Sequence, residues 1–465
     1  MKNKMKKNFF KYFFLFFLIS CSKSETEEEL IADFVNNVKE NNDVYIEGNL
    51  SWEDAVKLAL KYNKILKATI EERDIARGEK IEASSEFFPK VLSSFNYSHL
   101  DKSPSVFVND VEIPLGKIDN YSVDLTVKQP LFYGGSIYFK NLIASLGQNI
   151  ADEKIIKQIQ TTIFETLQAY FDLLLAKKVY LVKKRSFFAS KRHLKDVKDK
   201  IENDVASQYD LLRAKVDLSN FKGEFINADN VVKLKRSNLY KILGVSQESK
   251  IILKDSLKYK KMEMTLEKAV DIAFKNRPDL KEKKLFVDVK KEQVNIAISK
   301  FFPKFDFVYS NKWGRPDPHS STIDSWGRQW SIALSMNWPI FEGLKKRGNL
   351  IKEKAHLEKS RYLLQDMKQQ IILELRKSIF SLENADYLVK SQKLDLKRAK
   401  EALKLVQYGY KEGINTEIEV TDAISATTKS KILYYQALYQ HEMAKLYLNF
   451  SLGLLNPKFI SGEKR

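Results

Sequence analysis

The stretch Trp330-Ser331-Ile332-Ala333-Leu334-Ser335-Met336-Asn337-Trp338-Pro339-Ile340-Phe341-Glu342-Gly343 carries two signals end to end. From Trp330 to Trp338 every second residue is large and apolar, and those between are small or polar. That period of two belongs to a β-strand with one apolar face. A run of about nine residues with aromatic ends has the length of a membrane-spanning β-strand. A soluble hairpin packed on helices would alternate in the same way. Trp330 and Trp338 bracket the run, and Trp313 and Trp326 stand near the neighbouring strand ends. An aromatic belt of this kind favours the membrane, because amphipathic indole rings suit the headgroup layer.

The Pro-Ile-Phe-Glu-Gly block that follows has a counterpart. A shift of 209 residues lays Pro130-Leu131-Phe132-Tyr133-Gly134 over Pro339-Ile340-Phe341-Glu342-Gly343, and Leu243-Gly244 over Leu452-Gly453. A shift of 214 lays Trp52-Glu53-Asp54-Ala55-Val56 over Leu266-Glu267-Lys268-Ala269-Val270, and Phe87-Phe88-Pro89-Lys90 over Phe301-Phe302-Pro303-Lys304. The two shifts differ by five, so a loop between these blocks is longer in the first copy. A repeat near 210 residues is too long for a solenoid and reads as a doubled, domain-sized unit. The expected organisation is a first repeat over 50–248 with a β-hairpin in 90–130, a second over 249–455 with a hairpin in 304–339, and a tail over 456–465.

Elsewhere the period is helical. Ile163, Leu167, Tyr170 and Leu174 form one stripe, and the chain has only 16 glycines and 10 prolines to interrupt its helices. A helix from Ser136 to Asp204 would run about 100 Å at roughly 1.5 Å per residue. Ser207–Leu243 and Leu266–Phe301 are each about half as long and match it end to end. Lys345–Lys411 and Thr416–Leu452 repeat the long and short pattern. The fold class expected is mainly α with a membrane β-barrel contribution. Four strands cannot close a barrel, and an open edge in hydrocarbon costs several kcal/mol per unpaired group. Two chains would supply eight strands with a filled interior, three would supply twelve around a lumen, and strand count alone does not choose.

The chain of 465 residues carries a formal charge of +19. Its lysines are interspersed with acids over helical faces, which argues for solvated surface and against nucleic acid as a partner. Residues 1–20 read as a signal peptide, with Lys2, Lys4, Lys6, Lys7 and Lys11 around the apolar run Phe9–Ile19. Leu18-Ile19-Ser20-Cys21 is similar to a bacterial lipobox, and Cys21 is the only cysteine. Lipidation at Cys21 is therefore expected, with 21–49 as a tether.

The Leu50–Leu60 opening and its repeat, the Phe-Phe-Pro blocks, the Pro-[Leu/Ile]-Phe-x-Gly blocks and the segment Gly413–Ala423 together resemble the TolC family of outer-membrane efflux proteins. The resemblance spans about 49–455. It implies a homotrimer with a twelve-stranded barrel in outer-membrane lipid and a periplasmic α-helical tunnel. It also implies a periplasmic membrane-fusion adaptor and an inner-membrane pump of RND, ABC or MFS type as partners. The expected function is that of a passive conduit for efflux or type I secretion, lipid-anchored in the outer membrane. The competing reading is an adaptor-type periplasmic coiled-coil lipoprotein without a pore.

The resemblance places the tunnel's closing end at the turns Asn203–Ser207 and Glu412–Thr416. Glu419 and Asp422 are three apart on one helix face and would form acidic rings in a trimer, with pKa values raised by like charge. Asp210 and Tyr410 match the family's gate contacts; an arginine expected at Asn415 is missing, and Arg213 lies nearby as a substitute. The adaptor-docking tips are expected around Val205, Gly413 and Ile414. The five histidines are scattered without metal-ligand spacing, and no nucleotide-binding or nucleophile motif is present. No metal, no cofactor beyond the Cys21 lipid and no enzymatic activity are expected.

Overall fold

The computed structural model describes residues 44–109, 111–203 and 206–457. Cys21, the signal segment, most of the tether and Val205 lie outside the described residues. The first copy runs β1 (Glu47–Leu50), α1 (Trp52–Tyr62), α2 (Lys64–Ser85), β2 (Lys90–His99), β3 (Ser105–Val108), β4 (Val111–Pro114), β5 (Asp119–Tyr133), α3 (Ser136–Glu202) and α4 (Gln208–Leu243). The second runs β6 (Lys250–Leu253), α5 (Leu266–Asn276), α6 (Pro278–Ser299), β7 (Lys304–Arg315), β8 (Gly327–Asn337), α7 (Lys345–Lys411) and α8 (Glu417–Ser451).

The sequence leads one to expect a single helix from Leu266 to Phe301, and the structure has two. Pro278 lacks an N–H and pushes Arg277 into an extended conformation (φ −68°, ψ 117°), so α5 stops and α6 restarts with proline at its first position. The Arg277 guanidinium then bridges Asp279 and Glu374 at 2.7 and 2.8 Å. The first copy breaks at the same place without a proline. Asn63 ends α1, and its side chain accepts from the Ile65 and Leu66 amides that open α2, both at 3.0 Å. Gly244 and Gly453 close α4 and α8 in the left-handed region (φ 71° and 73°). A Cβ on Gly244 would strike the Tyr62 carbonyl, and one on Gly453 would stand 2.9 Å from the Asn276 carbonyl carbon. The repeated Leu-Gly pair is thus the seat of each helix break.

The two long helices, α3 and α7, have 67 residues each. α3 packs along α4 and α7 along α8, while α8 also lies against α3 and joins the two hairpins. α2 lies against α3, and α6 against both long helices. Near mid-length β1 pairs in parallel with β6, Glu47 opposite Lys250, over a core that includes Tyr170, Leu173, Leu239 and Leu243. The buried Tyr170 hydroxyl donates to Leu50 O and lies 2.6 Å from Asp255. No helix among the described residues is long and apolar enough to cross a membrane.

At one end a single antiparallel sheet has the order β2-β5-β7-β8. The β5–β7 pairing joins the copies, and β2 and β8 are its open edges. Directly paired residues share a face. Phe95 lies opposite Val123, Val123 opposite Trp313, Val127 opposite Tyr309 and Tyr309 opposite Ile332, which makes one face apolar across all four strands. The other face places Ser94 opposite Asp124, Asp124 opposite Lys312 and Ser310 opposite Ser331. It carries the Lys128–Asp306 ion pair at 3.1 Å and the Tyr133–Asp306 hydrogen bond at 2.7 Å. Ile332, Leu334 and Met336 on the apolar face are exposed, so the chain alone does not cover it. The longer loop of the first copy holds the small β3–β4 hairpin. Beyond the sheet's opposite end, Gly134 takes φ 65° where a side chain would strike the Ser299 carbonyl, and the chain turns into α3.

Candidate functional site

The far ends of the two helical hairpins gather the charged groups. At the first turn Ser207 caps α4: the Asp210 amide donates to the Ser207 hydroxyl, and the Ser207 amide donates to Asp210 Oδ2 at 2.9 Å. The Ser207 hydroxyl and amide hold the Asp210 carboxyl below the usual carboxylate range. At the second turn Gly413 takes φ 77°, and the Ile414 amide donates to Gly409 O at 2.7 Å. Thr416 caps α8 reciprocally with Glu419, which accepts from the Thr416 amide at 2.7 Å and from Asn415 Nδ2 at 3.1 Å.

This changes the reading of two residues. The Thr416 amide, then Asn415 and the Thr416 hydroxyl, hold the Glu419 carboxyl below its usual range. Within one protomer the direction is opposite to the raised pKa expected from a ring of like charges. Asn415 is also put to use, as a donor to the acid four residues further along. Within one chain Asp210 and Tyr410 form no hydrogen bond with each other among the described residues; Asp210 Oδ2 accepts from the Ser207 amide and hydroxyl. Tyr410 instead stacks edge-on against His193, ring centroids 5.6 Å apart, and takes the Lys200 ammonium 3.6 Å from its ring centroid. Burial and then Glu417 push the Tyr410 hydroxyl up.

Sequence reasoning missed the centre of this site. Glu417 is buried, with Oε1 3.2 Å from His193 Nε2, Oε2 3.7 Å from Arg213 Nε, and the Thr421 hydroxyl donating at 3.4 Å. Within its own chain Arg213 faces Glu417. Thr421, Ile424 and Thr428 follow Glu417 on the buried side of α8, and Ser186 meets Thr428 at 2.7 Å one stage further up. His193 continues the stripe Val182, Ser186, Ser190 and Val197 on α3 at helical spacing. That spacing marks a packed histidine, but nothing local names a partner 224 residues away.

Glu419 and Asp422 are exposed on the opposite side of α8. Ile414 is 79 % exposed at the tip beside Gly413. At the sheet, Trp326 lies 6.3 Å from Tyr121 and Trp313 is near the same strand ends, whereas Trp338 Nε1 donates to Phe301 O at the other end. Trp330 sits between them on the exposed apolar face, opposite Asn311.

A family model described as outer membrane efflux protein matches residues 269–454, the second copy. The alkaline protease secretion protein AprF of Pseudomonas aeruginosa is 20% identical over 428 residues, covering 88% of this chain and 87% of AprF. The outer membrane protein OprJ of the same organism is 22% identical over 178 residues, covering 38% of this chain and 37% of OprJ. Among solved structures, the CmeC outer membrane channel of Campylobacter jejuni superposes with a TM-score of 0.76 at 14% identity, covering 86% of this chain and 85% of CmeC. The duplicated helix–hairpin–helix unit and the two-faced sheet with open edges agree with these matches: the second copy matches the outer membrane efflux protein family model, and the chain has the fold of the CmeC channel.

Proposed function

We infer that the chain is the outer-membrane channel component of a tripartite efflux or type I secretion system, a passive conduit rather than an enzyme. The observation that carries this is the sheet of Lys90–Asn337, apolar and exposed on one face, polar on the other, with both edge strands unpaired. In hydrocarbon such edges must be closed. Three chains, pairing β8 of one with β2 of the next, give twelve strands around a polar lumen, with the hairpins forming a tunnel into the periplasm. The tryptophans at 313, 326, 330 and 338 are read as the headgroup belts of that barrel.

Family members work with periplasmic adaptors and inner-membrane pumps. For this chain we propose docking of an adaptor at the tips around Val205, Gly413 and Ile414, with a pump of RND, ABC or MFS type behind it. Glu419 and Asp422 line the narrow end as two rings that favour cations, and Cys21 carries the lipid anchor. Heat-modifiable migration of an outer-membrane trimer supports the channel. A monomer extracted without detergent would return the chain to an adaptor-type coiled coil. Deleting the gene and scoring drug sensitivity against loss of a secreted protein separates efflux from secretion. AprF is by name a secretion protein and the family by description an efflux one.

A further inference from the structure

A hollow of about 610 Å³ opens in the helical wall where α8 lies between α3 and α7. Phe164 of α3 and Asn384 of α7 line it together with Tyr439, Gln440, Met443 and Tyr447 of α8. Phe164 meets Tyr447 edge-on, ring centroids 6.3 Å apart, and packs on Phe450 at 4.9 Å. The two tyrosine hydroxyls are tied back into the wall: Tyr439 donates to Asp172 at 2.5 Å and Tyr447 to Glu374 at 3.3 Å. Both acids are already paired, Asp172 with Lys235 at 2.6 Å and Glu374 with Arg277 at 2.8 Å. The hollow therefore presents aromatic rings, a thioether and primary amides. No charged side chain lines it, in a chain that is 30% charged.

Two observations set which way the hollow opens. Glu419, Ala426, Leu433, Gln440 and Tyr447 stand seven residues apart and are all exposed, so the hollow shares the face of α8 that carries Glu419. Leu438, about 160° round the helix from Gln440 at roughly 100° per residue, is buried with Leu50, Ile251 and Leu257 under the β1–β6 layer. One side of α8 is roofed and the acid side is open. With those acids lining the pore, the hollow opens on the lumen, about 32 Å beyond Glu419 at roughly 1.5 Å per residue. We propose that it is a transit site in the tunnel wall for flat aromatic cations of drug or dye size, one site in each chain. This rests on the channel reading above and adds a substrate class to it. Ring faces attract a delocalised cation, amides hydrogen-bond its outer nitrogens, and no ammonium in the lining repels it. An anion meets no positive partner there. The volume lies within the roughly 300–1,000 Å³ of pockets that hold drug-sized ligands.

The test uses ethidium monoazide, a flat aromatic cation that light attaches to whatever holds it, on the full-length trimer purified in detergent, with labelled peptides mapped by mass spectrometry. The proposal expects label on residues 439–447 of α8, displaced by excess ethidium and not by the aliphatic cation tetrapropylammonium. Gln440 is exposed, so Gln440→Lys keeps the fold and should lower the labelling at least tenfold. Leu433→Lys, two turns nearer the tip on the same face, should lower it less than threefold. In planar bilayers ethidium should interrupt the ion current of the wild-type trimer, and Gln440→Lys should shorten those interruptions about tenfold. Label outside this segment, equal displacement by tetrapropylammonium, equal loss in the two lysine variants, or an ion current that ethidium leaves untouched overturns the transit site while the channel reading stands. A trimer that passes no ion current overturns the channel reading itself, wherever the label falls.

Discussion

Glu419 closes a capping box with Thr416, so its carboxylate is worth more to the folded chain than to the unfolded one. A depressed folded-state pKa means this stabilisation is fully present above the ordinary carboxylate range and is lost as pH falls through the folded-state value. Protection of the first-turn amides of α8, taken relative to their intrinsic exchange rate at each pH, should therefore fall on acidification, and Glu419→Gln should abolish that fall. Thr416→Ala removes the other half of the box and should cost about 1 kcal/mol locally, roughly fivefold faster exchange of the Glu419 amide. Unchanged exchange in both variants would show that the box does not hold the turn. Glu417 has the larger consequence. Glu417→Ala leaves His193 and Arg213 facing a void in the α3–α8 seam, at a cost of about 3 kcal/mol. Limited proteolysis should then cut the tip third of α3 in the variant and spare it in the wild-type chain. At this scale the sequence is least legible. Thr416 and Glu419 are three apart and announce a cap; His193 and Glu417 meet only because two hairpins pack side by side.

Helices and strands were more open to reading, because their periodicity is local. The alternation at Tyr121–Val127 falls within β5 and that at Trp330–Asn337 within β8, Trp338 standing just past its end, and the stripe Ile163–Leu174 lies buried on α3. The break between α5 and α6 is harder to read although Arg277-Pro278 marks it, because the apolar spacing continues through the break and outweighs a single proline. The Asn63 break has a weaker signal, since asparagine caps helices only where the chain already pauses. That β5 pairs with β7 is invisible locally, the partners being some 190 residues apart. The sheet's two faces make a sharp prediction. Ile332→Lys puts a charge on the apolar face and should destabilise the assembled protein by about 2 to 4 kcal/mol, with loss of the heat-modifiable form. Ser331→Lys, one residue away on the polar face, should assemble normally. Equal behaviour of the two variants would mean that the sheet is not in lipid.

The whole molecule is a doubled unit whose halves differ at the turns of their helical hairpins. The first copy ends its hairpin with Ser207 and Asp210, the second with Thr416 and Glu419, the same cap built from different residues. Glu417 and its partners then tie the two hairpins together within one chain. Trimeric channels with Glu419→Gln and Asp422→Asn should lose preference for cations in planar bilayers while keeping their assembly; unchanged ion selectivity would remove the two acids from the pore. The shifts of 209 and 214 residues make the doubling readable in the sequence, but not how many copies of the chain close the barrel. That number is the centre of the account. Single cysteines scanned in pairs, β2 positions 91–97 against β8 positions 330–336, with Cys21 left unchanged, read it directly on denaturing gels after oxidation. The account predicts a covalent ladder of one, two and three chains, ending at three, from pairs at matching height on the two edges. A ladder ending at two, or no cross-link from any pair in membranes that hold the protein, would contradict it.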